Sequence, residues 1–542
     1  MKKRDWIDSR LFTRFLEIIT GATAWTLIIS PVILAPIAPV AAAYFILAFN
    51  FYWVVKAFNI MRHMLKGFDR MWKIMKVDWL KRCQMICKDP AAYKQYLWKE
   101  YEKNKNKTAF LDWQEIENLE DNYSVVKNWR DIYHVIFVTN CFEDFYITEP
   151  TYDAIRDCNY PNDRIIVVSC GEGRDIDGYK VVKEKLAEKF GKDFLDIQYY
   201  VHDFAEGEVI GKGPNLASAG HKFMKYFNEK YPHINSEDVI VTNLDADHII
   251  HQEYLANITY KYIIDTNRDR KTYQPIPLLF NNIWDSPAPS RVLAIASSFW
   301  QIVEAMRPYR LRTFAAHTQS LKTLLVTDFW SNKTVVEDGH QYWRTYFAFN
   351  GDHEMVPIFI PIYQDCVLAE DFWTTLKNQY KQRRRWAWGV SDFPFIVKNF
   401  IRHNEIPLGE KILQSFRHFA GNISWSAASF LIAFSWIPLA FNNSFQDTVL
   451  AQNVSVFSSN MLALAWIGVI ANVWIFMFLL PPLPKNKRKT DYIGMLLQWV
   501  ISPFVAIAFS ALPALESQTR YMFGNYLDVF WVTPKVRVRR DD

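Results

Sequence analysis

Between Glu17 and Lys56 the chain carries no charged residue, a stretch of 38 positions from Ile18 to Val55. One helix of that length would be roughly 57 Å long at about 1.5 Å per residue, close to twice the hydrocarbon core of a bilayer. Two membrane spans are therefore predicted, with Pro31, Pro36 and Pro39 marking the turn between them. A secretory leader is the poorer reading, because its single short apolar region accounts for only half of the run. The next segment is basic: seven Lys or Arg lie between Arg62 and Arg82, against Asp69 and Asp78. Phe58, Met61, Leu65, Phe68, Trp72 and Met75 recur at helical spacing, as in a helix lying on the inner membrane surface. The start, MKKRDWIDSRLFTR, is also basic, so two spans bring the chain back to the side on which it began.

The C-terminal third repeats the pattern. Ala420–Phe441 and Met461–Leu480 are predicted spans, joined by a loop without Lys or Arg and followed by the basic loop PPLPKNKRKTD. A fifth apolar segment, Tyr492–Leu512, is interrupted by Pro503. If it crosses fully, the tail with Lys535, Arg537, Arg539 and Arg540 ends outside, against the charge rule, so four to six spans are counted. Charged residues still make up 22% of the chain, which therefore cannot be membrane helix throughout. With 50% hydrophobic and 16% aromatic residues, disorder is excluded. A net charge of +5 over 542 residues gives no nucleic-acid footprint. The six cysteines show neither paired zinc spacing nor a disulfide framework, and reduced thiols in the cytosol are expected.

The middle of the chain, from about residue 57 to 415, has no membrane-length apolar run. Short β-type runs alternate there with helical stretches: Tyr133–Thr139, Arg164–Ser169, Ile197–Val201 and Val239–Leu244, with a helix around Ala217–Lys230. That alternation predicts βαβ units and a parallel sheet, whose ligands bind beyond the carboxyl ends of the strands. Neither GxGxxG nor GxxxxGK comes after any of these strands, which disfavours Rossmann dehydrogenases and P-loop NTPases. Directly after the fourth strand stands Asp245-Ala246-Asp247, two carboxylates at i and i+2 able to approach one hard cation such as Mg2+ or Mn2+. Such a cation can neutralise a diphosphate leaving group. Further on come Glu337-Asp338 and Gln382-Arg383-Arg384-Arg385-Trp386. The bland reading of the latter is a basic face beside the bilayer, but its Trp suits a platform for a sugar ring.

Asp245-x-Asp247, Glu337-Asp338 and Gln382-x-x-Arg385-Trp386, in that order and flanked by membrane spans, resemble the membrane-embedded family 2 glycosyltransferases. Cellulose synthase, hyaluronan synthase and ceramide glucosyltransferase belong to that group. Lesser similarities are Asn140 and Glu143 after the first strand, Asn159-Tyr160-Pro161, Gly211-Lys212-Gly213-Pro214-Asn215, and Phe530-Trp531-Val532-Thr533-Pro534-Lys535, which resembles a W-V-T-x-K ending. Two departures stand out. Ser169-Cys170-Gly171-Glu172 replaces the usual Asp-Asp-Gly, with Glu172 as the substitute acid, and His317-Thr318 replaces Gly-Thr.

The resemblance implies an α/β GT-A domain, for nucleotide-diphospho-sugar transfer, inserted between N-terminal and C-terminal transmembrane helices. Its expected organisation is two membrane helices in 1–56, a basic amphipathic interface in 57–130, the GT-A domain in 131–390, interface helices in 391–418, membrane helices in 419–515 and a cytosolic or interfacial tail in 516–542. Asp245 and Asp247 would hold Mg2+ or Mn2+, and Asp338 would be the general base. Glu337, Gln382, Arg385 and Trp386 would contact the diphosphate or the acceptor. Asn140, Glu143, Glu172, Lys212 and Asn215 would form the donor pocket, with a surface salt bridge between Lys212 and Glu143 nearly as good a reading of those two. The implied partners are a nucleotide-diphospho-sugar (a UDP-sugar by the resemblance), a carbohydrate or lipid acceptor and membrane lipids, with no nucleic acid. The implied setting is an inner or plasma membrane with the catalytic domain in the cytosol. The implied reaction is inverting transfer to a growing β-linked polysaccharide, with export through the membrane helices. Single addition to a lipid, or a non-catalytic membrane scaffold, stay open as alternatives.

Overall fold

A computed structural model describes residues 5–105, 107–119 and 122–537. The chain divides into two compact units. One gathers Met1–Leu65, Ile283–Phe299 and Cys366–Thr533; the other gathers Lys66–Asn282, Trp300–Asp365 and Pro534–Asp542.

The second unit is built on an eight-stranded mixed sheet. In chain order its strands are β1 (Tyr133–Asn140), β2 (Ile165–Glu172), β3 (Asp196–His202), β4 (Val239–Asp245), β5 (Ile249–Ile250), β6 (Lys271–Leu278), β7 (Thr318–Ser320) and β8 (Glu354–Tyr363). Across the sheet they run β3-β2-β1-β4-β7-β6-β8-β5. The first four are parallel neighbours, with Thr139 opposite Asp245 and Thr139 opposite Cys170. β2 is buried along its whole length, which explains its apolar start, Ile165–Val168, since a strand covered on both faces has no polar side to show. Leu216, Ala219, Phe223 and Phe227 form one stripe of the helix Lys212–Lys230 and pack on Val135, Phe137, Ile166 and Val241.

The other half of the sheet departs from the all-parallel expectation. β7 runs antiparallel to both β4 and β6, while β6 and β8 pair in parallel. β6 contains Pro275 and Pro277 and β8 contains Pro357 and Pro361, each removing a ladder donor, and their register slips between Gln274 and Ile276. β7 is three polar residues whose burial is made tolerable by hydrogen bonds: Gln319 Nε2 donates to Thr272 Oγ1 at 2.7 Å and to Thr345 Oγ1 at 3.0 Å.

The first unit is helical. Among the described residues four helices are long and apolar enough to cross a membrane: Arg10–Ile37, Pro39–Ile74, Leu408–Ala440 and Asp491–Met522. Pro31 and Pro36 lie inside the first of these, and the break falls instead at Ala38, after which Pro39 opens the next helix. That next helix continues unbroken to Ile74, so the basic amphipathic stretch extends an apolar helix and is not separate from it. A further helix, Val449–Leu479, takes in positions 461–479 of the predicted span 461–480. Around Pro503 the last apolar segment changes winding, from 3₁₀ at Gln498–Ile501 to a π turn at Ile507–Ala511. Small residues mediate close helix approach in this unit, with Ala35, Ala42 and Ala43 in one buried cluster and Gly21 against the carbonyl of Gln518. Ile33, Ile37, Ile470, Val500 and Phe504 are more than half exposed, an apolar outer surface of the kind a membrane-crossing helix presents.

Candidate active site

β4 ends on Asp245, and the turn after it brings Asp247 and His248 back beside it. Ligand atoms of Asp245, Asp247 and His248 all lie within 4.8 Å of one another. The His248 ring accepts the Asp245 backbone N–H at Nδ1 (3.1 Å) and sets Nε2 3.3 Å from Asp245 Oδ2. The two carboxylates are hard oxygen ligands suited to Mg2+ or Mn2+, while the imidazole, whose Nδ1 takes the backbone N–H, turns Nε2–H toward Asp245 and braces it. Burial opposes ionisation of Asp245, but Lys212 and His248 outweigh it and hold the carboxyl well below the usual range. Asp247, unlike the half-buried Asp245, is fully buried, and Lys535 and His248 hold it low against that burial. Neither His248 nor Lys535 is marked as a site residue by the sequence motifs.

Lys212 opens the helix Lys212–Lys230, is buried, and forms an ion pair with Asp245. It also lies within electrostatic reach of Glu337 and Asp338, and these acids keep it protonated in spite of its burial. Glu337 and Asp338 begin the helix Glu337–Ala348. Glu337 is 3% exposed, whereas Asp338 is half-buried; Asp338 Oδ1 accepts the Gly339 N–H at 2.7 Å, and its carbonyl accepts the Thr313 hydroxyl at 2.6 Å. The two helix starts meet at Gly213. A Cβ there would fall 2.3 Å from the Ser331 carbonyl oxygen and 2.9 Å from Glu337 Cβ. Gly213→Ala should therefore lower stability by about 1–3 kcal/mol, the usual range for overpacking, and displace the Glu337-Asp338 pair. Thermal melting beside a turnover assay checks this; a variant unchanged in both would remove the close contact from the account.

The donor-side residues gather at the ends of β1 and β2. Asn140 Nδ2 donates to the Glu143 carbonyl (2.9 Å) and to Thr148 Oγ1 (3.0 Å), and Asn215 Nδ2 donates to the Cys170 carbonyl (3.2 Å). Each leaves a buried Oδ1 with no partner among the described residues, an acceptor suited to a ligand N–H or hydroxyl. Glu143 accepts the Cys141 N–H at 2.7 Å and meets Lys535 at 3.2 Å, while Lys212 pairs with Asp245, so the two are not partners of each other. Glu172 is buried and pairs with Arg174. His317 is buried with its imidazole pushed down to about 4 by burial; it takes the Trp330 indole N–H at Nε2 (3.2 Å) and is a packing residue.

Gln382, Arg385 and Trp386 lie in the other unit, on the helix Phe372–Ala387. Arg383 donates to the Leu293 carbonyl at 2.9 Å and stacks over Trp386 at 4.9 Å, Arg384 meets Glu516 at 2.8 Å, and Arg385 lies 3.8 Å above the Phe530 ring. Gln382 Oε1 accepts the Gln379 amide at 3.3 Å.

By sequence the chain matches no known family and no curated protein. Among solved structures it is similar to a mannosyltransferase from Pyrobaculum calidifontis in complex with GDP-Man and Mn2+, at 16% identity and a TM-score of 0.39, over 63% of this chain and 87% of that one. It is also similar to residues 1–349 of S. aureus TarS in complex with UDP-GlcNAc, at 11% identity and a TM-score of 0.31, over 72% of this chain and 92% of that one. Likenesses at this level leave the reading of the site to the chain's own residues.

Proposed function

We propose that this chain is a membrane-embedded, inverting glycosyltransferase that moves a sugar from a nucleotide-diphospho-sugar to a growing β-linked polysaccharide. The observation that carries the proposal is the cluster at the end of β4, where Asp245, Asp247 and His248 converge and Lys212 pairs with Asp245 within electrostatic reach of Glu337 and Asp338. Mg2+ or Mn2+, held by these two aspartates, would supply positive charge against the diphosphate when bound.

Asp338 accepts the proton of the acceptor hydroxyl as that oxygen bonds to C1 of the sugar. The bond from C1 to the phosphate oxygen breaks on the opposite side, the nucleoside diphosphate leaves with the electron pair, and the anomeric centre inverts. Lys212 adds fixed positive charge where the leaving group becomes more anionic. The unpartnered Oδ1 atoms of Asn140 and Asn215 suit donor N–H or hydroxyl groups, and Glu143 and Glu172 complete the donor side. Gln382 and Arg385 are assigned contacts to the diphosphate or acceptor, and Trp386 a stacking face for the acceptor sugar.

Incubation of the purified protein with a panel of labelled nucleotide sugars, followed by sizing of the product, tests the reading. A product that lengthens with time is expected. A single discrete lipid-linked product would move the assignment to a lipid acceptor, and no product with any donor would leave a non-catalytic scaffold.

The basic loops support a cytosolic α/β unit. Native Cys141 and Cys170 are buried and report poorly, so the test uses Lys180→Cys, an exposed position, in a Cys87→Ser background. A membrane-impermeant thiol reagent should label it only after the membrane is opened. Labelling of intact cells would reverse the topology.

A further inference from the structure

The segment Pro534–Arg537 brings two cations to the carboxylate cluster. Lys535 Nζ lies 2.6 Å from Asp247 Oδ1 and 3.2 Å from Glu143 Oε1. Arg537 reaches past it to Asp365. Its Nε lies 3.0 Å from Oδ2 and its Nη2 2.8 Å from Oδ1, while Nη2 also approaches the Asp247 carbonyl at 3.3 Å. Asp365 is 7% exposed, is held by Asn281 Nδ2 at 2.9 Å, and donates its own backbone N–H to Asp247 Oδ2 at 2.9 Å.

Both oxygens of Asp247 are thus engaged, Oδ2 by a fixed peptide N–H and Oδ1 by a lysine. The lysine offsets three acids, Asp245, Asp247 and Glu143, which would otherwise repel one another at close range. A divalent cation seeking Oδ1 meets that ammonium, so the two positive charges are alternatives at one oxygen. A lysine side chain is long and flexible, and what fixes where it reaches is the backbone that carries it. Two residues on, the planar guanidinium of Arg537 grips a buried carboxylate in a fork, the geometry that holds a chain most firmly in register.

We propose that Arg537, anchored on Asp365, is a positioning residue that seats Lys535 on Asp247 and so sets how readily a divalent cation takes that carboxylate. The inference rests on the metal-dependent reading of the site.

The test is Mn2+ binding by the full-length protein in detergent, read from the electron paramagnetic resonance signal of free Mn2+, with no turnover required. The key variant is Arg537→Met combined with Asp365→Asn, which removes one charge of each sign and leaves the local net charge unchanged. It should bind Mn2+ about tenfold more tightly, because the competing ammonium is no longer held in place. Trypsin should also cut after Lys535 faster than in the parent. In a Lys535→Met background, Mn2+ should already bind more tightly, and the pair of substitutions should add nothing, the non-additivity expected of residues acting through one another. Arg537→Lys should restore part of the parent behaviour. A purely structural role predicts the opposite, weaker Mn2+ binding with or without Lys535.

Unchanged or weaker Mn2+ binding in the paired variant overturns the latch, as does a shift that persists in the Lys535→Met background. If the parent binds nucleotide and Mn2+ while the paired variant fails to tighten, the latch falls and the proposed activity stands. If no variant binds Mn2+ at all, both fall. Should the paired variant misfold, Lys535→Met alone decides, since no gain in Mn2+ affinity there removes the competition.

Discussion

Chelation by EDTA should abolish turnover, with Mn2+ or Mg2+ restoring it, and Asp247→Asn should leave the enzyme nearly inactive at any metal concentration. Asp247 is 4% exposed and held ionised by Lys535 and His248 against the penalty of burial. Asparagine preserves the shape and can still accept the Asp365 N–H, but it removes the charge that a cation needs. Loss of one preorganised electrostatic group of this kind typically costs about 10²–10³ in turnover. The substitution also leaves Lys535 buried with one acid fewer, and breaking a buried pair costs about 3–5 kcal/mol of stability. Turnover, metal titration and thermal melting should therefore be read on the same preparation. A variant that melts lower but keeps its metal response would place Asp247 in the scaffold, and full activity of the parent in chelator would return the Asp245–Asp247 pair to a structural role.

How much of this was legible depended on whether a signal was local. β1, β2 and β4 are largely apolar because parallel central strands are covered on both faces, and they were readable to within one residue for β1 and β4 and three for the end of β2. Asp245 and Asp247 were readable for the same reason, since a strand end fixes where a polar turn must lie. The antiparallel half was not. β7 is Thr-Gln-Ser and β5 is two isoleucines, while the prolines of β6 and β8 contradict ordinary strand propensity. Only contacts between residues far apart in sequence, such as Gln319 with Thr272 and Thr345, make those strands. Long range also hid Lys535, which meets Asp247 from 288 positions away; the W-V-T-x-K likeness marked the segment but not its partner. His248 was adjacent to the motif and still missed, because a lone histidine after D-x-D is ordinary until its ring is seen against Asp245. In the helical unit the prolines misled in the opposite direction: Pro31 and Pro36 are carried within a helix, and the chain turns at Ala38.

Asp338→Asn should lower turnover by about 10²–10⁴-fold, the usual contribution of a general base, while nucleotide affinity stays nearly unchanged. An alcohol is a poor nucleophile until its proton has somewhere to go, and the two candidates that could take it are Glu337 and Asp338. Glu337 is buried and packed against the first turn of the helix Lys212–Lys230, close enough that Gly213 has no room for a Cβ. Asp338 is half-buried, with one oxygen tied to the Gly339 N–H and its carbonyl braced by Thr313, so its carboxylate is both oriented and accessible. Asparagine keeps the size and the hydrogen bond but cannot accept a proton. Trp386→Ala should behave differently, because it removes an aromatic face while Arg383, which stacks on that ring, keeps its bond to the Leu293 carbonyl. Its cost should fall on acceptor engagement, seen as a raised acceptor KM, with donor binding nearly unaltered. Calorimetric titration with the nucleotide, set beside turnover at varied acceptor concentration, separates the two. Near-normal turnover in Asp338→Asn would send the search for the base to Glu337, where Glu337→Gln should then carry the larger loss.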